Sequence, residues 1–578
     1  MTVIFEKNFV RTLTRLVERV QPGKRLQLWT FDDRKNRQQA EERLAKQGVT
    51  ARIRSAYKPL LHAFIEEIDL TGVERLQILY PVHAAAPQNR FLLEAYPLAA
   101  MIGDRKIDFI ARGDGELHYD VVLETVDGKK SLRVFAPNHL HVDAVGETNL
   151  SPTGWLIEDD EGPGNRLETE FELLFGQAMA AIARHDWGEQ EPYFDELNIG
   201  IRLPVEDKDL PVGDEVLSLR EALHEDFYFS LLEFFQKKSG RPSGDRGLQP
   251  GQIVPEIVAS NDEVSVRIET RPLSALSFDG VPQQLDDAEA PLGFSDVAAS
   301  IDAIGAVTFD TDTRSGRVVK ACYVKGTDFP VMISAGQHAN ETTGVAGALR
   351  AANRLVRREG AHFTLSPMEN PDGYALHQRL RRDNPRHMHH AARYTAFGDD
   401  LEYRIAADGA MPSHETAIRH KARQLSGAHL HLNLHGYPAH EWTRPFSGYV
   451  PRNFGAWTLP KGFFLIARHH AGWANETEKL LDAVTRHLMT VPGLMENNVR
   501  QIALYEAHAG RTGFRFINGF PCFVSEDQRG IVPITLITEY PDETVYGVAF
   551  RAGHAAQMET VLAAYDAWQE IAANIEVA

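Results

Sequence analysis

The sequence predicts an α/β protein of two or three domains. Three observations carry that expectation. Short apolar runs of strand length alternate with stretches whose apolar residues recur every three or four positions. Side chains able to do chemistry gather at the C-terminal tips of some of those runs, the end at which open α/β sheets bind ligands. The chain, at 578 residues, is too long for one ordinary core.

The elements follow in order. Phe9, Leu13, Leu16 and Val20 form one helical face. Arg25 to Trp29 reads as a strand, Arg37 to Gln47 as a charged helix and Leu76 to Val82 as a short apolar strand. Residues 1–112 are therefore expected to be a small α/β domain with a structural or oligomerising role. From residue 115 the pattern turns to strands. His118 to Val126 and Ser131 to Ala136 flank Asp127-Gly128, a hairpin signal. Asp159 to Asn165 reads as a loop, Leu167 to His185 and Leu217 to Lys238 as helices, and Val264 to Glu269 as a strand. Residues 239–251 hold four Gly and two Pro and read as an exposed connection. Residues 113–290 are thus expected to be a β-rich and helical domain. The acidic stretch 276–293 contains Pro and Gly and marks the main boundary. Val307 to Thr311 and Val318 to Val324 then pair around Ser315-Gly316.

Composition narrows the class. The chain is 43% hydrophobic and 24% charged, as soluble globular proteins are. A net charge of −19 opposes non-specific nucleic-acid binding, which needs a basic surface. The two cysteines, Cys322 and Cys522, form neither a disulfide framework nor a cysteine zinc site. No run of about 18 apolar residues is present, so no membrane span is expected. The first residues, MTVIFEKNFVRTLTRLVERV, lack an apolar signal core, and a cytoplasmic protein is the expectation. No nucleic-acid or membrane partner is expected. A homo-oligomer is compatible with the sequence.

The chemistry lies downstream of the boundary. Val331 to Ala335 is a buried-strand run, and Val345, Leu349, Ala352 and Val356 recur at helical spacing. Between them stand His338 and Glu341, an imidazole and a carboxylate able to turn toward one metal ion. His429 to His435, HLHLNLH, has a strict period of two. His429, His431, Asn433 and His435 face one way and three leucines the other. Gly436 and Pro438 end this strand, so His435 lies at its tip. His431 shares that face and is the alternative ligand. Ile534 to Asp542 is an apolar strand that stops at Glu539, with Pro541 as breaker. Two imidazoles and one carboxylate make a three-ligand zinc set that keeps a fourth position for water. The second carboxylate, Glu539, would be the base for that water.

In its order of motifs the chain resembles the zinc carboxypeptidase family over about residues 295–578. The carriers are His338-Ala-Asn-Glu341, Pro367-Met-Glu-Asn370-Pro-Asp-Gly-Tyr374, the Arg379 to Arg382 cluster, His435 and Glu539. The resemblance implies a mixed eight-stranded sheet between helices, one zinc ion per chain and a peptide or small amide as substrate. It implies that His338, Glu341 and His435 hold the zinc. Glu539 would activate water and pass its proton to the leaving amine. Arg382 would polarise the scissile carbonyl and steady the oxyanion. Asn370, in a turn with Asp372 and Gly373, is a substrate-side candidate.

Two departures stand out. Family members hold the substrate carboxylate with an Asn-Arg pair, whereas Glu402 and Tyr403 occupy those places here, with Arg404 one step late. A glutamate there would repel a carboxylate, so either Arg404 swings in as the clamp or the substrate is not an ordinary C-terminal peptide. Tyr505 is the nearest candidate for the family's active-site tyrosine. HANET also resembles the HGNE motif of acylamino-acid deacylases of the aspartoacylase and succinylglutamate desuccinylase group. A deacylase of small N-acyl amino acids is therefore the alternative function, ranked second because that group lacks the NPDGY segment. The RHMHH segment, with His387, His389 and His390, reads as a pocket-rim cluster in preference to a second metal site. The first 290 residues are expected to cap the cleft and restrict entry to small substrates.

Overall fold

A computed structural model describes residues 1–160, 162–404, 414–452 and 455–576. The expected α/β class is what forms. Its largest layer is a nine-stranded mixed sheet drawn from the C-terminal half. The strands are β1 (Val307–Asp312), β2 (Val318–Val324), β3 (Val331–Ala335), β4 (Phe363–Ser366), β5 (Leu430–Tyr437), β6 (Phe464–His469), β7 (Arg515–Ile517), β8 (Phe520–Glu526) and β9 (Ile534–Pro541). Their spatial order is β1-β2-β4-β3-β5-β9-β6-β8-β7, one strand more than the resemblance implies.

The centre of the sheet is parallel. β3 runs beside β5, pairing Ala335 with Leu434, and β5 runs beside β9, pairing His435 with Glu539. Both β3 and β5 are buried along their whole length, as central parallel strands are when helices cover both faces. The leucines of HLHLNLH enter one hydrophobic core with Val331, Ile333 and Leu349. Its polar face is hydrogen-bonded within the protein. Ser334 Oγ lies 2.7 Å from His431 Nε2 and donates to Asn433 Oδ1 at 2.9 Å, and Asn433 donates to Gln337 at 3.1 Å. That network engages His431 inside the sheet and away from the strand tip, which removes it as a ligand.

In the N-terminal half three four-stranded sheets draw strands from both sides of residue 112. Thr2–Phe9 is a strand paired with Val264–Arg271, so Phe9 does not belong to the helical face read from the sequence. Only Thr12–Arg19 of that stretch is helical. Arg25–Thr30 pairs with Trp155–Glu158, and Val73–Pro81 with His118–Thr125. The Asp-Gly hairpin forms as expected, but it closes tightly, with Thr125 opposite Gly128 at φ +136°. The positive φ is why glycine stands there.

Four helices matter to the site: α1 (Leu219–Lys238), α2 (Thr343–Leu355), α3 (Pro371–Leu380) and α4 (Val548–Glu576). Ser218 caps α1 by accepting from Glu221 N. Most of α1 is buried. Its apolar residues Phe227, Leu231 and Phe235 pack in one core with Ile253 of the N-terminal half and with Leu376, Phe446 and Tyr449 of the C-terminal half. Among the described residues no helix is long and apolar enough to cross a membrane.

Helices α2 and α4 meet so closely that a Cβ on Gly347 would lie 2.5 Å from Gln557 Cβ. Gly347→Ala gains roughly 1 kcal/mol of helix propensity but overpacks a rigid contact at a cost of about 1–3 kcal/mol. The variant should unfold at lower urea concentration than the parent. A higher midpoint would show that propensity outweighs the contact.

Candidate metal centre

The site is assembled at the C-terminal tips of β3, β5 and β9. β3 ends at Gly336, whose φ of +64° turns the chain sharply. Gln337 and His338 follow, and Glu341 N donates to His338 O at 3.2 Å in the turn before α2. That turn sets both side chains on one side, with His338 Nδ1 at 2.9 Å from Glu341 Oε1. The β5 tip completes the group. His435 Nδ1 is 3.0 Å from His338 Nδ1 and 3.1 Å from Glu341 Oε2, which also accepts from Gly436 N at 3.0 Å. A side chain at position 436 is excluded, because a Cβ there would sit 2.0 Å from Asp542 Oδ1.

Three donor atoms therefore converge on one point from residues at most 6% exposed. Two imidazole nitrogens aimed at each other and at one carboxylate cannot all be satisfied by the protons they carry. Spacings near 3 Å suit donors bound at about 2 Å to a single zinc ion. The residues thus fit the metal that the sequence implies. Among the described residues no other group of three His, Cys, Asp or Glu side chains meets this way.

A second layer fixes the first. His338 Nε2 faces Asp400 Oδ1 at 3.3 Å, so a carboxylate orients the ring from behind. Arg393 Nη1 donates to Glu341 Oε1 at 2.6 Å and lies 3.7 Å from Glu543. Burial alone would raise the Glu341 carboxyl, but His338, Arg393 and His435 hold it well below the usual carboxylate range. Burial opposes charge on Asp400 too, and His338 and Arg393 keep it ionised. Glu539 behaves oppositely. Burial, reinforced by the charge on Glu341, pushes it well above the ordinary range. Asp542 is pushed up to about 8 by burial, despite its hydrogen bonds from Thr343.

The group opens into a cavity of about 400 Å³. His338, His435 and Glu539 line it on the sheet side, and Phe229, Leu232 and Arg246 of the N-terminal half line the opposite wall. The Gly-rich stretch 239–251, read as an exposed connection, contributes Ser243 to Arg246 and the buried Leu248 to that wall.

The remaining sequence candidates divide. Arg382 is exposed and stacks on Phe278 at 4.7 Å, outside the cavity. The cation that reaches the centre is Arg393. The physical reason is that α3 ends at Leu380 and leaves Arg382 on the outer side, and the chain returns inward through the buried histidine segment, whose His390 lines the cavity. Arg404 is bound to Asp399 at 2.6 Å and Glu415 at 2.5 Å and does not line the cavity. Asn370 caps α3 by accepting from Gly373 N at 2.9 Å and reaches Arg393 O at 3.4 Å. It is a positioning group and not a cavity wall. Tyr505 is buried 5.7 Å from Lys461 and also lies off the cavity, which Tyr394, Tyr403 and Tyr437 line instead. In RHMHH the rings are separately engaged. His387 faces Asp207 at 2.7 Å, His389 faces Asn384 O at 3.0 Å, and His390 binds Glu225. Arg393 and Asp400 escaped the sequence reading. Arg393 follows no spacing rule, and Asp400 was visible only as part of the altered Asp-Leu segment.

The zinc carboxypeptidase family model matches residues 311–404, the stretch that holds His338, Glu341, Arg393 and Asp400. Similar solved structures include a metallo-carboxypeptidase from Burkholderia cenocepacia, 16% identical over 53% of this chain and 76% of that one, with a TM-score of 0.29. A metallo-carboxypeptidase from Pseudomonas aeruginosa in complex with (2-guanidinoethylmercapto)succinic acid is 15% identical over 54% of this chain and 76% of that one, with a TM-score of 0.32. Carboxypeptidase A from Helicoverpa armigera is 10% identical over 66% of this chain and 99% of that one, with a TM-score of 0.32. No curated protein matches the chain.

Two substitutions test the centre. His338→Ala should lose bound zinc outright. Asp400→Asn should weaken zinc roughly 10- to 100-fold by releasing the His338 ring, measured by competition with a chromophoric chelator. Unchanged affinity in the Asp400 variant would remove it from the centre.

Proposed function

We propose that the chain is a zinc-dependent hydrolase of peptide or amide bonds, of the carboxypeptidase type. The observation that supports this most directly is the meeting of His338, Glu341 and His435 beside Glu539 at one strand-end cavity. His338, Glu341 and His435 would hold one zinc ion. Zinc bound there would supply a Lewis acid for a carbonyl oxygen and lower the pKa of water.

The rest falls to the chain's own groups. Glu539, opposite His435 in the next strand, takes a proton from the attacking water and returns it to the departing amine. Arg393 remains charged, because Glu341 and its other acidic neighbours outweigh burial. It lines the cavity and sets a fixed positive charge beside the carbonyl oxygen, the role the sequence had given to Arg382. The wall formed by α1 and residues 243–248 limits the cavity to a small substrate, at the lower end of ordinary ligand sites.

That limited volume favours a second reading, the deacylase of small N-acyl amino acids, which uses the same residues. A panel of short peptides against acyl amino acids separates the two by their kcat/KM values. Glu539→Gln should keep stoichiometric zinc and lose turnover by roughly 10²- to 10⁴-fold, the usual worth of a general base. Full activity in that variant would remove Glu539 from the chemistry.

A further inference from the structure

The sheet face that carries the site does not stop at the cavity. Ile537 of β9 and Ile466 of β6 stand opposite each other, and both line it. In the next strand Phe523 stands beside Ile466, because β6 and β8 run parallel and in register. Partners in neighbouring strands share a face, so Ile537, Ile466 and Phe523 form one apolar row that leads out of the cavity. Pro521 lies two positions before Phe523 and on the same face. It pairs with Phe516 of β7. The adjoining row is polar, with Thr535, Arg468 and Ser525 paired across the same three strands.

Burial falls along the apolar row. Ile537 is 4% exposed, Phe523 is 53% exposed and Phe516 is 48% exposed. The other face of these strands is closed, with Leu465, Phe520 and Cys522 in the main core. Nearer the cavity the site face is closed too. Phe464 is buried against Phe514 at 4.8 Å and Trp457 at 6.1 Å, and Trp457 lines the cavity. Single apolar residues on a surface are ordinary, but large ones in line with a cavity mark a ligand groove. From Ile537 to Phe523 the row spans two strand spacings, about 10 Å. On the opposite side of the cavity Phe229 and Leu232 of α1 stand as a wall.

We propose that this row is a subsite for an apolar acyl chain of the substrate, with Phe523 as a specificity-determining residue. The α1 wall limits what the cavity itself holds, and the row takes what extends beyond it. Chemistry selects the end of the substrate that lies there. The amine side of a peptide or acyl amino acid ends in a carboxylate, which an apolar row would desolvate without offering a hydrogen bond. The acyl side carries no such charge and gains from each methylene it buries. The polar row keeps the chain on its track, and its Arg468 is already held by Glu402. The inference rests on the hydrolase reading for which bond is cut, but binding can be read without turnover.

The test uses the full-length, zinc-loaded Glu539→Gln chain and calorimetry below the micelle concentration of the probes. The probes are N-acetyl-, N-hexanoyl- and N-octanoyl-phenylalanine. A fully buried methylene gains roughly fourfold in affinity. Even with one side of the chain open to water, the octanoyl probe should bind at least about tenfold tighter than the acetyl one. Adding Phe523→Ser should reduce that gain to about twofold, with zinc content unchanged, and Phe523→Leu should keep most of it. Val499→Ser, which removes an equally exposed apolar side chain from the helix Leu494–Ala509, should leave the gain intact. No gain with chain length before substitution, a gain that survives Phe523→Ser, or an equal loss in Val499→Ser overturns the proposal. A dimer that Phe523→Ser dissociates while the gain persists assigns the row to a second copy of the chain and overturns it as well. Turnover of the octanoyl probe and of an octanoyl dipeptide by the unsubstituted chain is measured separately. Failure there with the gain intact defeats the hydrolase reading and leaves the acyl subsite standing.

Discussion

Everything at this site depends on keeping one carboxylate ionised inside the protein. Glu341 is 1% exposed, and a charge so placed persists only when it is paired. Its two oxygens receive His338 and Arg393 on one side and His435 and the Gly436 amide on the other. The partners come from three segments: the turn that holds His338, the return of the chain at Arg393 and the end of β5. The strand order, the glycine at 436 and the return of the chain at 393 are all conditions for that convergence. Asp542 and Glu543 stand nearby but are pushed toward their neutral forms, chiefly by burial, so the local negative charge concentrates on Glu341 and Asp400.

The same logic explains the joint between the halves of the molecule. Helix α1 buries three acids, Glu221, Glu225 and Asp226, at an apolar interface. Each is answered from the C-terminal half. His440 faces Glu221 at 2.6 Å, His390 binds Glu225, and Phe446 N donates to Asp226 at 2.5 Å. Lys58 meets Glu441 in the same layer. Such pairs add little net stability, yet losing one partner is expensive, so they specify one arrangement of the halves.

What was legible in the sequence follows from how local the signal is. The strict alternation of HLHLNLH and the apolar run ending at Glu539 give β5, β9 and the positions of His435 and Glu539. His338 and Glu341 were legible because a spacing of three within one turn sets both side chains on the same side. The roles of Arg393 and Asp400 depend on where a long irregular segment returns, and no periodicity records that. The arginine cluster misled because Arg382 sits just past the end of α3, where helical spacing no longer sets its direction. Phe9 was misread because an edge strand paired with Val264–Arg271 borrows its partner from far along the chain. The lining role of residues 239–251 was hidden by composition, since Gly and Pro mark a loop without saying what it covers.

The position of α1 has a consequence for the molecule as a material. The helix is a shared beam, with core residues of both halves fastened to its sides. Removing the C-terminal half at the acidic connector would strip that beam of one set of supports and leave its carboxylates without their partners. The shared helix couples the two halves, so that unfolding of either one strips packing from the other.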